Sequence, residues 1–167
     1  AKAFEVLDAG PWMVANNSIY GYPIGVKAVN ATLDFTSNIL WNDELMLPIP
    51  IQNVGSSIAN SFNDIYYGPG LYPGTGNINQ NPLFVSVATR DFGLLRDSPC
   101  IDAGNPDLAP DKDGTRADIG ARVYLHKASA EANPRFIVAG SPVQVSSSSI
   151  GHSYPDTEIS WDINNDD

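Results

Sequence analysis

The amino-acid sequence predicts an all-β fold in which short strands stack in parallel coils, a β-helix. Three observations carry this prediction. Turn-forming residues dominate the polar composition: Asp outnumbers Glu by 15 to 4, Asn also reaches 15, and the 167 residues include 14 Gly and 13 Pro. Asp and Asn bond their own backbones in turns, whereas Glu favours helices. A phrase of similar make recurs at "ANNSIYG", "FTSNILWND" and "SFNDIYYG", with Ile19, Ile39 and Ile65 spaced by 20 and 26 residues. A period of this size marks units that cannot bury an apolar face alone and must stack on their neighbours. Finally, "ATLDFTSNIL" alternates: Leu33, Phe35 and Ile39 share one side, Thr32, Asp34 and Thr36 the other, which is the period of a strand.

Taken in order, the elements are short strands separated by the turn-rich intervals "YGYPIG", "NDELMLPIP" and "GPGLYPGTG". No segment sustains a helical period beyond two turns. An Asn beside each repeated Ile suits a coil corner, where its side chain can bond the backbone and a stacked Asn in the next coil. Three independent Asn turns in a β-sandwich are the alternative. Residues 1–76 are read as the last coils and 77–124 as a closing region that ends in the strand "ADIGARVYL". Within it, Gly104 and Gly120 are expected to supply positive φ. Residues 125–135, "LHKASAEANPR", lack an apolar face and read as a linker, and 136–167 as a partial β-sandwich segment.

A formal charge of −10 without basic clusters argues against nucleic acid and against anionic membrane surfaces. No apolar run reaches the roughly 18 residues that a membrane span needs. The start, "AKAFEVLDAG", lacks the apolar core of a signal peptide, while low charge with abundant Asn, Ser and Thr favours an exported protein. The single Cys100, between Pro99 and Ile101, reads as a buried, inert thiol.

The run "GTGNINQNPLFV…DFGLLRDSPCIDAGNPD…PDKDGTRADIGA" resembles the C-terminal end of secreted bacterial right-handed parallel β-helix repeat proteins. The resemblance spans about residues 12–124 and is specific from Asn77 to Ala121; Gln80-Asn81 departs from the acidic residue usual before Pro-Leu-Phe. The tail is similar to the start of a polycystic-kidney-disease-type immunoglobulin-like domain, through Val143, Val145, Ile159, Trp161 and Asp162, with Asp167 where a Gly is usual. The resemblance implies an extracellular or cell-surface location in a bacterium. Members of the family range from polysaccharide-degrading enzymes to adhesins and stalks, so the family alone does not fix the function.

Candidate sites follow from side-chain chemistry. Asp111, Asp113 and Asp118 in "DKDGTRAD" offer oxygens for Ca2+, although Gly114 and Arg122 stand at the fourth and twelfth positions and fail the EF-hand pattern. The competing reading has these carboxylates bonding backbone amides and pairing with Arg116. Asp162, Asn164 and Asp166 alternate as a second candidate calcium ladder. No cofactor is required by the fold, and Ca2+ is the candidate that these carboxylates offer. Tyr20, Trp41, Tyr66 and Tyr67 form a candidate carbohydrate-binding strip, or else cover the core. Asp34 and Asp64 are the carboxylates best placed on a coil face for glycoside hydrolysis, against a solvated outer face as the plainer reading. A lyase would need a nearby base, and Lys27 is the sole basic residue of the repeated region. His126 and His152 lack partners at ligand spacing.

The expected function is a non-catalytic structural or adhesive module, with further β-helix coils or a neighbouring copy at its N-terminal face, assembling head-to-tail into a filament. The alternatives are a C-terminal fragment of a polysaccharide lyase or glycoside hydrolase whose catalytic coils lie elsewhere, or a carbohydrate-binding module with polysaccharide as partner.

Overall fold

A computed structural model describes residues 2–42, 49–66, 68, 70–133 and 144–150. The fold is all-β: among the described residues there is no helix. The chain divides into two units, 1–125 and 126–167.

In the first unit the chain makes three successive passes. The first holds β1 (Lys2–Ala15) and β2 (Ser18–Tyr20), the second β3 (Ile24–Thr36) and β4 (Ile39–Trp41). The third holds β5 (Ile49–Val54), β6 (Ser57–Ser61) and β7 (Asp64–Ile65). All pairing between passes is parallel. β1 pairs with β3, and β3 pairs in turn with β5 and β6; β2, β4 and β7 form a second parallel sheet. Two isolated parallel bridges, Ser61 to Thr75 and Asp64 to Ile78, begin a fourth pass.

The register identifies the repeat. Ala15, Thr36, Ser61 and Thr75 stack, as do Ser18, Ile39, Asp64 and Ile78. The Ile residues that suggested the period are therefore not all in register: Ile19 stacks on Leu40, which stacks on Ile65, and Ile39 faces elsewhere. A strand displaced by one residue presents its opposite face, so matching Ile39 to Ile19 shifts the repeat by one.

Two corners fix that register. Asp8, Asn30 and Gly55 take positive φ at one corner, and Asn16, Ser37, Phe62 and Gly76 take φ of 55°, 55°, 53° and 67° at the other. Left-handed backbone is rare outside Gly and Asn, so its recurrence at equivalent positions reflects a shared bend. After the second corner comes Asn17, Asn38, Asn63 and Asn77. Gly76 is required there, because a Cβ on it would collide with the Phe62 ring.

Val26, Leu33, Phe35 and Leu40 of the second pass are at most 1% exposed, sandwiched between the layers on either side. Full burial of each such side chain is worth about 1.5–3 kcal/mol. Lys27 projects outward and binds Glu5 at 2.7 Å, while Lys2 binds the same carboxylate at 2.9 Å. Both cations hold Glu5 below the usual carboxylate range, Lys27 most.

The closing region departs from expectation in its path. Residues 80–125 return along the outer face of the second sheet as a strap instead of adding a final strand: β8 (Phe84–Ser86) and β9 (Asp91–Leu94) pair antiparallel, and 117–125 holds no strand. The strap is stitched to every pass. Gly120 N–H donates to Ser37 O, Asn105 N–H to Ser37 Oγ, and Ala121 N–H to Ser18 Oγ. Asn16 Nδ2 donates to Asp118 O and Gln80 N–H to Asp64 Oδ1. Ile39 and Trp41 meet Leu94, Cys100, Ile101 and Ile119 in a second core beneath the strap.

Gly120 has φ +107 as expected, and a Cβ there would lie 2.7 Å from Ile39 Cδ1. Gly104 serves a different need: a Cβ would lie 2.6 Å from Ala117 O, while the positive φ belongs to Asp102.

In the second unit, β10 (Lys127–Asn133) and β11 (Gln144–Ile150) form an antiparallel pair, so the sequence expected to be a linker carries a strand. Its Ala and Glu residues are poor strand formers, and the order comes from pairing with β11. Val143, Ile159, Trp161 and Asp162, on which much of the tail's resemblance rests, lie outside the described residues.

Candidate functional site

The chemistry-bearing residues concentrate along the second corner and the seam under the strap. At the corner the four Asn residues form a ladder. Asn38 Oδ1 accepts from Asn17 N–H and Nδ2, both at 3.0 Å. Asn63 Oδ1 accepts from Asn38 N–H at 2.8 Å and Nδ2 at 3.0 Å, and Asn77 Oδ1 accepts from Asn63 N–H at 2.9 Å. The two inner amide groups also reach a carbonyl of the preceding pass: Asn38 Nδ2 donates to Val14 O and Asn63 Nδ2 to Phe35 O. Backbone groups that a bend would leave orphaned are thus satisfied by side chains.

Beside this ladder stands Asp64, with no exposed surface. Its Oδ1 accepts from Gln80 N–H at 3.1 Å and its Oδ2 from Cys100 Sγ at 3.2 Å. Burial pushes its pKa up to about 7, against the opposing pull of these two bonds. Burial, then the Asp64 carboxylate, also pushes the Cys100 thiol up, which opposes thiolate formation. Asp34, in contrast, stacks between Met13 and Ala59 on the first sheet. Asp34 and Asp64 therefore sit on different sheets and form no hydrolytic pair. The reading of Asp64 as an outward, solvated carboxylate is corrected by its complete burial.

In the acid-rich loop, Asp118 is 1% exposed; its Oδ1 accepts from Asp102 N–H at 2.8 Å and its Oδ2 from Tyr124 N–H at 2.6 Å. Burial raises its pKa to about 6. Asp111 Oδ2 accepts from Asp118 N–H, and Asp113 Oδ1 from Thr115 N–H and Oγ1. Burial, opposed by the bond from Asp118 N–H and reinforced by the charges of Asp113 and Asp102, shifts Asp111 upward too. Among the described residues no group of three His, Cys, Asp or Glu is arranged to hold a metal ion. Arg116, expected beside these carboxylates, donates its Nε to Gly104 O and its Nη2 to Ala103 O, with its guanidinium 5.3 Å from the centre of the Phe62 ring. Asp162, Asn164 and Asp166 lie outside the described residues.

The aromatic residues fall into two groups along the seam. Tyr20 packs on Phe84 and Phe92, with ring centroids 6.5 and 5.9 Å away, and Trp41 stacks on Tyr66 at 4.6 Å. Trp41 is only 7% exposed. These rings belong to the contact between passes and strap, and Tyr67 lies outside the described residues. To one side lies a cleft of about 610 Å3 lined by Phe4, Ile19, Tyr20, the exposed Tyr22, Phe92 and the cation Arg90. Sequence reasoning missed Phe4, Phe92 and Arg90, which come from segments about 90 residues apart and meet only because the strap turns back. It also missed Asn77 as the fourth rung. That signal was present, since "TGNI" at 75–78 repeats "TSNI" at 36–39.

Compared with protein-family models, curated proteins and solved structures, the chain has no match.

The buried carboxylates of raised pKa are the kind of group found in catalytic centres. Here Asp64 is bonded by Gln80 N–H and Cys100 Sγ and Asp118 by Asp102 N–H and Tyr124 N–H, and the two residues are 0% and 1% exposed.

Proposed function

We propose that the three passes are terminal coils of a right-handed parallel β-helix, and that the chain is a non-catalytic structural or adhesive module of an extracellular or cell-surface protein. The observation that carries this reading is the stacked corner. Four left-handed residues, each followed by an Asn bonded to the next, repeat in parallel register. The unusual polar groups fit this architecture: both oxygens of Asp64 and Asp118, Asp111 Oδ2 and Asp113 Oδ1 accept from backbone amides or neighbouring side chains. Incubation with acidic and neutral polysaccharides tests the reading: no new reducing ends and no unsaturated products are expected. Product formation that Asp64→Asn abolishes would overturn it.

A carbohydrate-binding role is the second reading, and the aromatic cleft favours it. Tyr22, at 42% exposed, and Phe92 offer ring faces for sugar stacking, and Arg90 a donor for a carboxylate-bearing sugar. A glycan array checks it, with signal on acidic glycans that Tyr22→Ala and Arg90→Ala both remove.

A further inference from the structure

The sequence holds two tripeptides of the form Asn-x-Ser/Thr: Asn16-Asn17-Ser18 and Asn30-Ala31-Thr32. In exported chains this form is the acceptor for N-linked oligosaccharide, provided that the middle residue is not Pro. A chain with 15 Asn meets the pattern easily, so the surroundings of each tripeptide decide what it can carry.

The two stand at different corners, and the fold treats them oppositely. Asn30 sits at the first corner in left-handed backbone, φ 50°, with Asp8 and Gly55 at the same bend in the neighbouring passes. It is exposed, and its side chain makes no hydrogen bond among the described residues. The bend is held by its neighbours: Ser56 Oγ accepts the Ala31 N–H at 3.0 Å, and Ala31 is 3% exposed. Ala31 thus anchors the tripeptide inward, while Asn30 and Thr32 on either side are both exposed. Gly55 leaves the amide its room, since a Cβ there would lie 2.8 Å from Asn30 Oδ1. Left-handed backbone explains why an Asn suits this bend. It does not explain an unbonded amide in solvent with an exposed Thr two positions on.

At the second corner the corresponding atoms are engaged. Asn16 Nδ2, the atom that would carry a sugar, donates to Asp118 O at 3.2 Å, and Ser18 Oγ accepts from Ala121 N–H at 3.0 Å. Asn16 is itself exposed, but a sugar on that nitrogen would stand where the strap meets the first pass.

We infer that Asn30 is an N-glycosylation site, and that Asn16 is bare in the folded protein. The donor is a lipid-diphosphate-linked oligosaccharide, presented by a membrane-bound transferase while the chain is exported and β3 is still unpaired. Asn30 Nδ2 bonds to the anomeric carbon of the sugar and gives up one proton to the transferase. The bond from that carbon to the phosphate oxygen breaks, and its electron pair leaves with the lipid diphosphate. In the finished fold the sugar stands at the first corner, away from the strap contacts at Ser18, Ser37 and Asp64. A chain modified at Asn16 cannot seat its strap. The inference rests on the reading of the chain as an extracellular or cell-surface module and adds a covalent ligand to it.

Peptide mapping by mass spectrometry tests it, on the full chain recovered folded from the surface or medium of the cells that make it. Trypsin separates the tripeptides, because cleavage after Lys27 leaves Asn16 in 3–27 and Asn30 in 28–90. Most copies of 28–90 should carry added sugar mass, with fragmentation placing it on Asn30, and 3–27 should carry none. Thr32→Ala should abolish the addition and Thr32→Ser should retain it, both with Asn30 and its corner intact. An exported chain bare at Asn30 overturns the inference alone. So does equal occupancy of Asn16 in the folded chain, or a sugar on Asn30 that Thr32→Ala leaves unchanged. Recovery of the chain only from inside the cell overturns the extracellular reading, and the inference with it.

Discussion

Asn63 is wholly buried and bonds in three directions. Its amide donates to Phe35 O, Ser61 O and Asn60 Oδ1, and its oxygen accepts from Asn38. Asn63→Ala leaves several of these partners unsatisfied where water cannot reach, so we expect a loss of about 3 kcal/mol in urea unfolding. Asp64 acts in the opposite sense when ionised. Its folded pKa is about 7 against an ordinary 3.8, so the unfolded chain loses its proton first as pH rises. The Asp64 contribution to stability is therefore expected to be greatest below pH 4, to fall as pH rises toward 7, and to level off above. Asp118, raised to about 6, adds to the same slope. Urea midpoints between pH 4 and 8 check this: the wild type should weaken with rising pH, and Asp64→Asn should flatten much of the slope. At this scale the sequence was legible in part. The corner Asn residues carry the repeat, whereas Ile39 misled, because a strand alternates every residue and an apolar side chain can belong to either face.

The strap is the element whose position sequence did not reveal. Its acids, glycines and Cys100 mark a set of tight turns, and the structure buries Cys100, as expected, together with Ile101. A turn-rich segment carries no periodic face to say which surface it covers, so an end cap and a lateral cover read alike. The contacts decide it, through Ser18 of the first pass, Ser37 of the second and Asp64 of the third. Gly120 is where this element meets the sheet most closely. Gly120→Ala puts a methyl group against Ile39 and forces an unfavourable φ, and we expect about 2–4 kcal/mol of destabilisation. Limited proteolysis locates the effect: cleavage within 98–121 should appear before cleavage within 24–41. The acid-rich loop gives a further expectation. With both oxygens of Asp118 and one each of Asp111 and Asp113 already accepting protein hydrogens, a calcium chelator should leave the thermal midpoint of the first unit unchanged.

In the first unit as a whole, bonds between distant parts of the sequence are the rule. Paired strands of the first three passes join residues 21 to 25 apart, but the strap joins Ala121 to Ser18 and Asp118 to Asn16, more than 100 residues apart. Such separations raise contact order and slow folding, since a long loop must close before its contacts reward it. They also set a sequence of events during synthesis. At roughly 5–20 residues per second, the ribosome releases the first corner at least several seconds before the segment that covers it. Until then the outer face of Ile39 and Trp41 stays wet, and Asp64 can keep its charge in water. Emergence of residues 98–121 is the moment at which that carboxylate is drawn out of solvent, so the covering of the second sheet is a folding step that responds to the proton concentration around it.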